Sequence, residues 1–149
     1  MGEDEMRVVI MMGIPASGKS TLANSLGIRV LASDELRLQH PEISPTSTQI
    51  WTMMRNMLRQ CIENNEDVVI DATNVSVKDR DRWLSVIKEE KEKGFQIFTS
   101  LYIMTTPKEV CLERNKHREA RVPDVAIHSI AKRWENPTKD EYFDEIKQF

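Results

Sequence analysis

Apolar residues fill almost every position from Arg7 to Met12, and again at Val68-Val69-Ile70, before each run breaks into glycine- or aspartate-led polar sequence. Short continuous runs rich in Val and Ile predict strands buried on both faces of a parallel sheet. A run from Ile28 to Ala32, ending at Ser33-Asp34, and another from Phe95 to Met104 predict two more strands. Between them the apolar period changes to that of a helix: Leu22, Ala23 and Leu26; then Ile50, Met53, Met54, Met57, Leu58, Cys61 and Ile62; then Trp83, Val86 and Ile87. The last of these belongs to a helix predicted over Lys78 to Lys93, charged outward through Lys88 to Lys93 and stopped by Gly94.

Caps and breakers mark the remaining boundaries. His40 to Thr48 carries two prolines and several hydroxyls and predicts a loop. Thr106-Pro107-Lys108-Glu109 combines a capping residue, a proline for the first helical position and a glutamate placed to close a capping box. Thr138-Lys139-Asp140-Glu141 repeats that signal and predicts a closing helix. Strands alternating with helices imply right-handed crossovers and an open, mostly parallel central sheet with helices on both faces. In such sheets chemistry gathers at the carboxyl ends of the strands. Gly13 to Thr21, Ser33 to Arg37 and Asp71 to Asn74 each follow a predicted strand directly and so are expected along one edge. No repeat, low-complexity tract or linker divides the chain, and residues 1–149 read as one domain with 1–6 as a flexible N-terminal segment.

Composition narrows the partners. With 40% hydrophobic and 30% charged residues the chain has an ordinary globular balance, and its longest apolar stretch is too short to span a bilayer. No membrane partner is expected. The start, Met-Gly-Glu-Asp-Glu-Met, lacks the features of a signal peptide and the hydroxyl residue of a myristoylation motif. Cys61 and Cys111 have no metal or redox spacing; they read as buried thiols and fit a cytoplasmic location. A net charge of −3 argues against indiscriminate coating of nucleic acid, but not against a local basic patch.

Gly13, Gly18, Lys19 and Ser20 match the phosphate-loop pattern in the strand-to-helix context that its mechanism requires. The glycines let backbone amides curl toward phosphates, the following helix offers its positive end, Lys19 adds a charge near the β and γ phosphates, and Ser20 supplies an oxygen for Mg²⁺. ATP, or another nucleoside triphosphate, is the expected ligand. The guanine-reading Asn-Lys-x-Asp pattern is absent, because Asn115-Lys116-His117 ends in Arg118. Asp34 and Arg37 lie within one helical turn, where the first can orient an acceptor hydroxyl and take its proton and the second can fork onto an acceptor phosphate. The alternative makes Asp34 a helix cap and Arg37 a surface cation. Asp71 ends a buried strand, as does the acidic residue that holds metal-bound water in phosphate-loop proteins. The cations of Arg114 to Arg121 suit a basic segment that closes over a triphosphate.

Together, Gly13-Ile-Pro-Ala-Ser-Gly-Lys-Ser-Thr21, Ser33-Asp-Glu-Leu-Arg37, Val69-Ile-Asp-Ala-Thr-Asn-Val75 and Glu113-Arg-Asn-Lys-His-Arg118 resemble the kinase domain of polynucleotide 5′-hydroxyl kinases of nucleic-acid end healing. The resemblance runs from about Arg7 to Ile146 and takes in Val122-Pro123-Asp124 and Asn136 through Phe143 as closing helices. It implies an α/β, three-layer P-loop kinase fold with a basic lid. It implies Gly13, Ser17, Gly18, Lys19, Ser20 and Thr21 around the nucleotide, Asp34 as general base, Arg37 on the acceptor phosphate, Asp71 in support, and Arg118 as the lid arginine between Arg114 and Arg121. The acceptor it implies is the 5′-hydroxyl end of DNA or RNA, with a separate phosphatase or ligase as partner. A small alcohol such as a nucleoside, sugar or antibiotic is the alternative acceptor, and a non-kinase ATP switch the third reading.

Overall fold

A computed structural model describes residues 5–149. The chain runs β1 (Met6–Met12), α1 (Lys19–Ser25), β2 (Arg29–Ala32), α2 (Ser33–Gln39), α3 (Gln49–Glu63), β3 (Val68–Asp71), α4 (Val77–Glu92), β4 (Ile97–Ile103), α5 (Lys108–Asn115), α6 (Asp124–Lys132) and β5 (Glu145–Gln148). The strands form one sheet in the order β2-β3-β1-β4-β5, and every pairing is parallel. Met6, expected in a flexible segment, is instead the first residue of β1 and is buried; residues 1–4 lie outside the described residues.

The continuous apolar runs are explained by the two faces of β1. Val8, Ile10 and Met12 face the cluster built by Met54 and Leu58 of α3 and by Trp83, Val86 and Ile87 of α4. Val9 and Met11 face the opposite way, toward Ala23, Leu22 and Leu26. A strand covered on both sides has no solvent face on which to alternate. A third cluster of Ile14, Val75, Cys111 and Ile127 seats α5 and α6 beneath the loop after β1. Both cysteines are buried free thiols; burial pushes the Cys61 thiol up to about 11 and raises that of Cys111.

Two capping signals are used otherwise than expected. Thr106 does not cap α5: Pro107 stands at the cap with no side-chain hydrogen bond, and Thr106 Oγ1 donates instead to the carbonyl of Ser17, 2.8 Å away. Thr138 does begin a reciprocal turn with Glu141, whose carboxylate accepts from the Thr138 amide at 3.0 Å. No closing helix follows. The Glu141 carboxylate is held by Arg80, and Asp144 is drawn to the sheet, its amide donating to the Thr99 carbonyl at 2.8 Å while its carboxylate accepts from the Thr99 amide at 2.7 Å. The chain is thereby laid along β4 as β5. Among the described residues no helix is long and apolar enough to cross a membrane.

Candidate active site

Parallel pairing places the ends of β2, β3 and β1 side by side. Ala32 is opposite Asp71, and Ile10 is opposite Ile70. The three polar clusters therefore emerge along one edge. Between β1 and α1 the loop makes its turn through left-handed backbone at Ala16 (φ 65°) and Gly18 (φ 93°). Gly18 also stands at the start of α1 with no side chain to occupy the first amides. Those amides remain available to an anion. A side chain at Gly13 would not fit, since a Cβ there would lie 2.6 Å from Ser17 Oγ and 3.0 Å from Met104 Cβ.

Lys19, Ser20 and Asp71 meet at the mouth of this loop. Ser20 Oγ donates to Asp71 Oδ2 at 2.7 Å, and Lys19 Nζ is 3.9 Å from Asp71 Oδ1. Lys19 and Asp71 are buried, at 9% and 7% exposure. A hydroxyl and one carboxylate are hard oxygen donors that suit Mg²⁺ sharing phosphate oxygens and water, rather than a closed cage of protein ligands. The residues present fit that ion. A cavity of about 370 Å³ opens beside them, lined by Gly18, Lys19, Ser20, Thr21, Arg114 and Arg118. In it Arg118 Nη1 is buried without a hydrogen-bond partner, as is Ser17 Oγ within the loop. A buried guanidinium nitrogen left unpaired calls for an oxyanion. Arg121 is exposed and does not line the cavity.

Asn74 braces the Asp71 loop. It takes left-handed backbone (φ 49°), donates through Nδ2 to the Met11 carbonyl at 2.7 Å, and accepts from Trp83 Nε1 at 2.8 Å. The Gly13 amide donates to the Thr73 carbonyl at 2.9 Å, so the acidic loop and the phosphate loop are tied to each other. Asp34 lies in the first turn of α2, but the cap is Ala32 and no side-chain capping bond is made. Asp34 is thus no helix cap; it is exposed. Arg37, one turn on, is half-buried, with Nη1 on the Pro45 carbonyl at 3.2 Å and its guanidinium over the Trp51 ring.

With the loop, its metal-suited pair and its cavity in place, comparison with known proteins gives the family. Residues 8–137 match the model of an AAA domain. The chain belongs to that family. It is similar to the bifunctional polynucleotide phosphatase/kinase of Schizosaccharomyces pombe, 24% identical over 97% of this chain, and spans 34% of that protein's length. The likeness to polynucleotide kinases read from the motifs is borne out at this level. Among solved structures, a fungal RNA kinase superposes with a TM-score of 0.72 at 12% identity, covering 100% of this chain and 76% of that one. A sugar kinase from Janibacter sp. HTCC2649 superposes with a TM-score of 0.64 at 20% identity, covering 96% and 85%. The fold of this AAA domain is that of P-loop kinases, as the sequence implied.

The Arg37 and Trp51 contact also brings in residues that sequence reasoning passed over. Arg82 lies over the same indole, and Asp79 and Arg133 adjoin it. In the sequence, Asp79 and Arg82 fall within the predicted helix from Lys78 to Lys93 and carry no local pattern that marks them out.

Proposed function

We propose that residues 1–149 act as one kinase domain that transfers the γ-phosphate of ATP to the 5′-hydroxyl end of a polynucleotide. The observation that carries this reading is the unpaired Arg118 nitrogen facing the same cavity as Lys19 and Ser20, on the sheet edge that also carries Asp34 and Arg37 two strands along. Lys19 and the loop amides hold the β and γ phosphates, and Arg118 with Arg114 neutralises charge on the group in flight. When bound, Mg²⁺ held by Ser20 and Asp71 offsets phosphate charge. Asp34 orients the 5′-hydroxyl and takes its proton as the new P–O bond forms and the bond to the β-phosphate oxygen breaks, leaving ADP. Arg37 anchors the first phosphate of the acceptor. The kinase named in the Schizosaccharomyces pombe relative and in the fungal structure supports a nucleic-acid acceptor, and a cytoplasmic setting with separate phosphatase or ligase partners goes with that reading.

The sugar-kinase superposition favours a second reading, a small alcohol as acceptor. Competition decides between them. With ATP, Mg²⁺ and a panel of sugars, nucleosides and 5′-hydroxyl oligonucleotides in one mixture, label is expected on the oligonucleotides. Label confined to a sugar or nucleoside would reverse the assignment.

A further inference from the structure

Away from the phosphate loop, positive charge collects around Trp51. The ring of this half-buried residue carries the Arg82 guanidinium 4.2 Å from its centroid and that of Arg37 at 5.3 Å. Its edge rests on fully buried Trp83, with ring centroids 6.1 Å apart, so the indole has a fixed seat. Arg133, at the end of α6, reaches Asp79 at 3.5 Å, and Arg82 approaches the same carboxylate at 3.3 Å. Two guanidiniums thus share one carboxylate, and Arg37 beside them has only the Pro45 carbonyl and the indole among the described residues.

The neighbouring space is shaped to receive something. Arg82 and Arg133 line an open cavity of about 520 Å³ together with Lys78, Lys132, Asp79 and Glu135. Four cations face two carboxylates there, in a chain whose net charge is −3. Burial lowers the Arg82 guanidinium from its ordinary value, Asp79 raises it, and the like charges of Arg133 and Arg37 lower it further. An added oxyanion would relieve that crowding, and planar guanidinium forks match a phosphate. Because cations already cover the Trp51 ring, the indole serves to carry arginines rather than to stack on a base.

Resting on the polynucleotide reading, we infer that Arg82 and Arg133 form a second phosphate site for the acceptor strand, beyond the phosphate taken by Arg37. Trp51 and Asp79 are positioning residues that hold the guanidiniums toward it. The acceptor this site selects is a single strand with more than one phosphodiester; an alcohol bearing a single phosphate leaves it empty.

A length series of 5′-hydroxyl acceptors carrying one, two and five phosphates, the first being a nucleoside 3′-monophosphate, tests the site. KM is expected to fall about tenfold once a second phosphate is present. In Arg82→Ala/Arg133→Ala that advantage disappears, while kcat and the KM of the monophosphate stay within about twofold. The salt slope of oligonucleotide binding drops by about 0.7, the value for one single-strand phosphate contact. Trp51→Leu should raise KM for long acceptors, and Trp51→Phe should restore it; a purely structural role would change kcat and thermal midpoint for every acceptor alike. Long acceptors phosphorylated with unaltered KM by the double variant would overturn the second site alone. Failure of the wild type to phosphorylate any oligonucleotide would overturn the polynucleotide reading beneath it.

Discussion

Asp34 is exposed and makes no side-chain hydrogen bond among the described residues, so the fold has little use for its charge. Substituting a surface residue of that kind changes stability by roughly 0.5 kcal/mol or less. Asp34→Asn is therefore expected to melt as the wild type does, bind ATP as tightly, and lose about 100-fold or more in phosphate transfer. Single-turnover transfer beside an ATP titration checks this, and retained transfer would remove Asp34 from the base role. Lys19 is the opposite case. Its ammonium is buried beside Asp71 and below the start of α1, where a cation is unfavourable unless an anion offsets it. That arrangement is intelligible when phosphates occupy the cavity.

At the scale of elements, α4 and the C-terminal segment are joined by one ion pair. Arg80 is fully buried, with Nε on Glu141 Oε2 at 2.7 Å, Nη2 on Oε1 at 3.0 Å, and Nη1 on the Asn74 carbonyl at 3.1 Å. Removing one partner strands the other, at a cost of about 3 kcal/mol. Glu141→Gln should lower stability by that order and loosen β5. The pH dependence follows from the direction of the shift. Burial works against ionisation of Glu141, yet the bonds from Arg80 and the Thr138 amide hold its carboxyl below the ordinary value. Its contribution is present above the ordinary carboxylate range and is lost as pH falls through the depressed folded value. Urea midpoints of wild type and Glu141→Gln should differ at neutral pH and converge in acid. A gap that persists in acid would contradict the ion-pair account.

That pair also shows where the sequence stops being legible. β1 and β3 were readable because strands covered on both faces leave a continuous apolar run, and Gly94 was readable because a residue at φ 105° after α4 favours glycine. The segment 138–143 was not, because Thr138 and Glu141 begin a turn and a helix with the same bond. The decision is made by Arg80 and Thr99, far away in sequence. Thr106 misled in the same way: a hydroxyl suited to a cap is spent on the Ser17 carbonyl, which only the folded chain brings near. Similarly, the phosphate loop and Asp71 carry local patterns, whereas the grouping of Arg37, Trp51, Arg82 and Arg133 comes from packing α2, α3, α4 and α6 together.

On the whole molecule, the order β2-β3-β1-β4-β5 gathers the nucleotide loop, the acidic strand end and α2 at one edge. The fold is common to structures of an RNA kinase and of a sugar kinase, so the acceptor must be read from side chains. An acidic protein that nevertheless gathers Arg37, Arg82 and Arg133 around Trp51 and Asp79 should, on the proposed function, bind single-stranded acceptors with a steep salt dependence. The most direct measurement is transfer of label from γ-labelled ATP, with Mg²⁺, to matched 5′-hydroxyl and 5′-phosphate DNA and RNA oligonucleotides, with Lys19→Ala as the control. Label on the 5′-hydroxyl strands alone, lost in Lys19→Ala, is the predicted result; intact ATP binding with no labelled strand would contradict a polynucleotide acceptor.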